Sequence, residues 1–177
     1  SSIAAGFTLD SANNQIGTVT GLTATGVKLV DSNALTVAGV LSAGSSGTID
    51  LSTTSGAVTQ AAGGTVIAGV VTSSSSVAAG FTLDSANNQI GTVSGLTATG
   101  IKLVDSQALK LAGVVSAGNT GTIDISTTAG GVSRWCRSSQ RPLRMIIRSS
   151  TDSRSMRQPV RCGSRVASRS FASFAVP

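Results

Sequence analysis

At 177 residues the chain has the length of one ordinary domain, yet only 3% of it is aromatic and 11% charged, against roughly 25% charged in a typical globular protein, which excludes a compact core of large side chains. It contains no His and no Glu, so the commonest general base and most metal-site designs are excluded too. The net charge of +6 is unevenly divided: residues 1–133 hold three Lys, six Asp and no Arg, whereas residues 134–177 hold ten Arg and one Asp.

Residues 1–59 return at 75–133 with 13 substitutions, and the phrase from Gly6 to Val19 recurs unchanged from Gly80 to Val93. Tandem units built from Gly, Ala, Ser, Thr, Val and Leu bury their apolar faces by stacking on one another. The reading is therefore all-β: a repetitive parallel β-helix of two 74-residue-period units, 1–74 and a truncated 75–133, followed by a basic tail, 134–177. Strands are predicted in order at Ile16–Leu22, Val27–Val30, Leu35–Leu41, Thr48–Leu51 and Thr65–Val71, with counterparts of the first four in the second copy, because these β-branched runs are bounded by Gly, Asn, Asp and Ser. Phrases also recur within a unit, Val37–Ala43 resembling Ile67–Ser73. Each unit is thus expected to make about three coils of roughly 20 to 29 residues.

The substitutions between the copies act as a mutation series. Five exchange only Val, Ile and Leu: Ile3/Val77, Val27/Ile101, Val37/Leu111, Leu41/Val115 and Leu51/Ile125. Those positions are expected inside. Thr36 becomes Lys110, flanked by Leu35 and Val37 in one copy and by Leu109 and Leu111 in the other. Strand side chains alternate between faces, so a site that accepts Lys faces water while its neighbours face the core. Both ends of such a stack carry unpaired ladder edges, which invite edge-to-edge self-association.

Six of the seven Asp fall in equivalent pairs, Asp10/Asp84, Asp31/Asp105 and Asp50/Asp124. Asp10, Asp31 and Asp84 adjoin Ser in expected turns, where Asp bonds the local backbone. Cation binding and glycosidic catalysis are the competing readings. A catalytic site is normally single, and the Gly-Gly-x-Gly-x-Asp calcium repeat is absent. No catalytic, cofactor-binding or metal-ligating residue is assigned, and no enzyme activity is expected.

The units with Gly-Phe-Thr-Leu-Asp, Ile-Gly-Thr-Val-Thr-Gly-Leu, Leu-Thr-Val-Ala-Gly-Val-Leu-Ser-Ala-Gly and Gly-Thr-Ile-Asp-Leu resemble the repeat regions of filamentous haemagglutinin-like adhesins and autotransporter passengers of Gram-negative bacteria, over residues 1–133. The resemblance implies a right-handed parallel β-helix exported across the outer membrane and used in adhesion or biofilm formation. Its implied partners are host or matrix surface molecules and an outer-membrane translocator; the implied location is the extracellular space or the bacterial surface. The secretion-signal domain and translocator barrel of those systems do not occur in this sequence, and Ser1 does not open a signal peptide. The chain reads as a piece of something longer.

At Arg134 the residue vocabulary changes. Both Cys (Cys136, Cys162), the only Trp (Trp135), both Met and all three Pro lie in 134–177, with ten Arg. Three readings arise: a basic arm for nucleic acid or another anionic surface, a disordered terminus, and an out-of-frame stretch beginning just after Ser133. The first lacks an interleaved aromatic platform for bases. The third is preferred, because Trp135-Cys136 must be encoded TGG-TG(T/C), whose shifted frames spell Gly or Val, residues that the repeat uses.

Overall fold

The computed structural model describes residues 2–134 and 145–149, the residues from Arg134 onward by backbone alone. The remainder of the basic tail, with the expectation that it is disordered or out of frame, lies outside the described residues. The strands are β1 Phe7–Leu9, β2 Thr18–Thr23, β3 Val27–Asp31, β4 Leu35–Thr53, β5 Val58–Gln60, β6 Thr65–Thr72, β7 Gly80–Leu83, β8 Gln89–Thr97, β9 Gly100–Asp105, β10 Leu109–Ser116, β11 Ile123–Thr127, β12 Val132–Arg134 and β13 Met145–Ser149. Every strand pairing among the described residues is parallel. Parallel neighbours that are not consecutive in the chain require the backbone to travel once around between them, and the result is the expected β-solenoid.

Two ladders run the length of the stack, and a shorter third one, through Thr23, Ser42, Ile67 and Gln89, lies between them. The first passes in register through Phe7, Val27, Ile49, Val71, Val93, Leu111 and Arg134. The second passes through Leu35, Val58, Phe81, Ile101, Ile123 and Met145. The long strand β4 belongs to all three, because it bends from the second ladder at Leu35–Val37 through the third at Val40–Ser42 to the first at Ile49–Thr53. Its register slips on the way, between Ser42 and Gly44 and between Gly44 and Thr48, so extra residues are absorbed at the bend.

From Phe7 to Arg134 the first ladder climbs six turns, each of about 21 residues, an ordinary size for a solenoid coil. One sequence period is therefore about three and a half turns rather than three. The half turn moves every strand of the second unit onto the other ladder. Phe7 and Ile49 lie in the first ladder and their counterparts Phe81 and Ile123 in the second, while Leu35 and Val58 lie in the second and Leu109 and Val132 in the first. The effective building block is half a coil, and seven such blocks make one sequence repeat.

Small β-branched and Leu side chains fill the interior between the ladders. Leu35, Val37, Leu109 and Leu111 are all buried, whereas Thr36 is half-buried and Lys110 exposed, as the substitution pattern required. Of the five aliphatic exchanges, Val27/Ile101, Val37/Leu111 and Leu51/Ile125 are buried on both sides; Ile3 and Val115 are partly buried against the same core. Each fully buried Val or Leu contributes on the order of 1.5 to 3 kcal/mol. Phe81 is the one aromatic side chain among the largest fully buried residues, and its counterpart Phe7, in the first coil, is only partly covered. Coverage grows inward from the end because each coil is sealed by the next.

Gly47 and Gly121 occupy equivalent bends where the backbones of neighbouring coils come close. A Cβ on Gly47 would collide with the carbonyl oxygens of Ala43 and Thr25, and one on Gly121 with those of Thr99 and Ala117. Only the absence of a side chain lets the backbone turn there.

Within the tail, Met145–Ser149 forms a strand that pairs residue for residue with Ile123–Thr127, an ordered stretch that the sequence reading did not single out. The physical reason is visible in the sequence. Met145-Ile146-Ile147 is a run of β-compatible apolar residues lying one period after Val71-Thr72-Ser73, and Met145 pairs with Ile123 as Val71 pairs with Ile49.

Candidate functional site

The polar residues that recur in both units gather at the bends, where one coil is tied to its neighbour. Asp31 is fully buried. Its carboxylate accepts the Ile16 N–H at 3.1 Å from each oxygen and the Gly17 N–H at 3.1 Å. Asp105, equally buried, accepts the Ile90 N–H at 2.9 Å and the Gln107 N–H at 3.3 Å. Burial pushes the Asp105 carboxyl above the usual carboxylate range, opposed by the backbone N–H groups of Ile90, Gln107 and Ser106. Asp50 accepts the Ser74 N–H at 2.9 Å and the Ser52 hydroxyl at 3.4 Å.

The expectation that Asp31 serves the backbone of its own turn needs correction. It reaches Ile16 and Gly17, 14 or 15 positions away on an adjoining coil, as Asp50 reaches Ser74. A buried bend leaves backbone N–H groups without ladder partners, and a carboxylate from the next coil is the nearest acceptor. Asp84 and Asp10 are exposed. Asp84 meets the Lys102 ammonium at 2.9 Å, a surface pair worth at most a few tenths of a kcal/mol to about 1 kcal/mol. Asp124 is half-buried and stands beside Lys102 in register, as Asp50 stands beside Lys28.

One polar cluster has no precedent in the sequence reading. Asn88 is fully buried, and its side-chain oxygen accepts the Gln60 amide at 2.7 Å and the Val66 N–H at 2.9 Å. Its amide donates to the Gln60 oxygen at 3.1 Å and to the carbonyls of Val104 at 3.0 Å and Leu83 at 3.3 Å. The Gln60 oxygen also accepts the Ser85 N–H at 2.9 Å. This reciprocal amide pair fastens the end of the first unit to the beginning of the second. Asn14, the counterpart of Asn88, repeats the bond to the adjacent coil through Val30 at 3.0 Å. No coil among the described residues precedes Asn14 to supply it with a Gln60 equivalent.

Chemically, these groups are saturated. Among the described residues no buried side-chain nitrogen or oxygen lacks a hydrogen-bond partner, and no group of three or more His, Cys, Asp or Glu is placed to hold a metal ion. The carboxylates act as backbone acceptors at separate bends. The outward rows carry Thr, Lys, Asp and small residues: Thr18, Thr36 and Thr59 stand in successive coils, and the hydroxyls of Thr36 and Thr59 lie 3.2 Å apart. No helix of the described residues is long and apolar enough to cross a membrane. Comparison with protein-family models, with curated proteins and with solved structures finds no match for this chain.

Proposed function

We propose that this chain is a structural segment of the shaft of a secreted or surface-attached bacterial adhesin, serving attachment or biofilm formation without catalysis. The observation that carries the reading is the use of the recurring polar residues: Asp31, Asp50, Asp105 and Asn88 are buried and engaged in joining coil to coil. Carboxylates committed to holding a stack together serve length and rigidity, and are withdrawn from chemistry. The resemblance of residues 1–133 to adhesin repeats supplies the location and role, with host or matrix surface molecules as the parent protein's partners and an outer-membrane translocator as its exporter.

The test is made in the organism that encodes the chain. Antibody raised against it labels intact, unpermeabilised cells, and in-frame deletion of residues 1–133 lowers surface attachment and biofilm mass several-fold with growth unchanged. Labelling that requires permeabilised cells, or attachment indifferent to the deletion, contradicts the proposal. Release of reducing sugar from acidic polysaccharides by the purified chain contradicts its non-catalytic part, and salt-sensitive DNA binding that disappears on removal of residues 134–177 turns the reading towards a basic arm.

A further inference from the structure

The first unit passes into the second across a seam that is closed unevenly. On one side β6 and β8 pair from Ile67 on Gln89 to Val71 on Val93. On the other, β5 and β7 are in register only where Val58 stands on Phe81, whereas β5 pairs with β4 below it over Val58–Gln60 and β7 with β9 above it over Gly80–Leu83. The corner before that point is tied by backbone, the Ala78 N–H donating to the Thr53 carbonyl and the Ala79 N–H to that of Gly56, each at 3.1 Å. The corner after it is not: among the described residues no backbone hydrogen bond joins 61–64 to 84–87.

Side chains close that second corner. Half-buried Gln60 exchanges two amide hydrogen bonds with Asn88 and accepts the Ser85 N–H, and the Asn88 side-chain oxygen accepts the Val66 N–H. Asn88 is itself held from the far side: its amide donates to the Val104 carbonyl at 3.0 Å, and its own carbonyl accepts the Ser106 N–H at 2.8 Å and the Ser106 hydroxyl at 2.6 Å. The upper coil thus fixes Asn88 in place, and closure of the seam depends on Gln60 reaching up to it.

We propose that this seam is a one-sided hinge: it pivots on the β6–β8 pairing and opens between β5 and β7, with Gln60 as the latch that engages Asn88. A folded chain opens locally where the fewest backbone hydrogen bonds must break together, and between these two coils that place is the stretch that follows Val58. Val58 and Phe81 are fully buried while the seam is shut, so opening bares Val58 and gives the stack one preferred bending point, at the unit boundary. The hinge stands on pairing geometry alone and is independent of the adhesive role.

Thiol labelling of the full chain over a urea series tests the hinge, with Cys136 and Cys162 replaced by Ser and every variant matched by far-ultraviolet circular dichroism. Three sites without exposure are compared: Val58→Cys at the seam, Val93→Cys on the pivot and Leu103→Cys one coil further along the second ladder. The thiol of Val58→Cys reacts through an opening that exposes little surface, so below the unfolding transition its rate changes little with urea, whereas the other two react with the full urea dependence of unfolding. Gln60→Ala leaves Asn88 its bonds to Val66, Leu83 and Val104. Added to the Val58→Cys chain, it quickens labelling about tenfold, as loss of the reciprocal amide bonds implies. Equal urea dependence at all three sites, or a Val58→Cys rate indifferent to Gln60→Ala, overturns the proposal.

Discussion

The alternation of exposed and buried side chains along a strand decides which substitutions each position tolerates. Leu35, Thr36 and Val37 are consecutive, yet only Thr36 reaches solvent. Introducing the natural variant, Thr36→Lys, is expected to change stability by no more than about 0.5 kcal/mol, while Val37→Lys removes enough packing to unfold the stack locally; urea titration followed by circular dichroism checks both. Leu51→Ala, at a site with no exposure, is expected to cost about 2 to 5 kcal/mol through lost burial and a cavity. This much was legible from two aligned copies, because a position that exchanges Thr for Lys and another that exchanges only Val, Ile and Leu report opposite faces.

Asp105 carries a pH dependence of definite sign. Its folded carboxyl binds a proton more tightly than the unfolded one, because burial disfavours the charge. The stability it contributes is therefore full below the ordinary value of 3.8, declines as pH rises through the elevated folded value, and is constant above it. Asp105→Asn abolishes that segment of the curve. The check is the difference between the two chains' urea midpoints at about pH 3, 4, 5 and 7: it changes in the low range and levels off above. The burial of this carboxylate was hidden in the sequence, where Asp beside Ser reads as an exposed turn. Its acceptor role depends on Ile90, 15 positions earlier, and such pairings appear only once the coils are stacked.

At the scale of elements, the expected strands formed with their ends moved by a few residues, and two of them, Leu35–Leu41 and Thr48–Leu51, proved to be halves of one bent strand, Leu35–Thr53. Ser and Gly from Ser42 to Gly47 read as punctuation, but the backbone there continues to pair across its bulges. The short strands Phe7–Leu9 and Val58–Gln60 escaped notice because three residues between Gly, Asp and Ala are too few to display alternation. Bends are where this fold is most easily broken. Gly47→Ala and Gly121→Ala each press a Cβ onto backbone oxygens, and each is expected to cost about 1 to 3 kcal/mol or more, read as a lowered thermal midpoint. Gly17→Ala provides the comparison, since a Cβ there meets nothing within 4 Å and the cost is confined to its positive φ of 67°, about 1 kcal/mol.

For the whole molecule, the repeat and the coil have different periods, and that mismatch organises everything else. Turns of the first ladder are unequal, the step from Val93 to Leu111 being the shortest and that from Leu111 to Arg134 the longest. Bulges absorb different numbers of residues, so no single spacing announces the coil within one unit. The long identity between the two copies, by contrast, is plain in the sequence. What it conceals is the half turn left over. Inserting a third unit between residues 74 and 75 is expected to lengthen the particle by about 17 Å, three and a half rises of roughly 4.8 Å, measurable as maximum dimension in solution scattering.

That half turn is tested most directly by the distance between two counterpart residues. Nitroxide labels at Thr36→Cys and Lys110→Cys, in a chain with Cys136 and Cys162 changed to Ser, are placed on different ladders by the account. The outward side chains then add to a sheet separation of about 10 Å and an axial climb of about 17 Å, for a label separation near about 30 Å. Dipolar spectroscopy that returns a narrow distance of about 15 Å, three coils up a single ladder, would place both copies on one face and contradict the half-coil architecture.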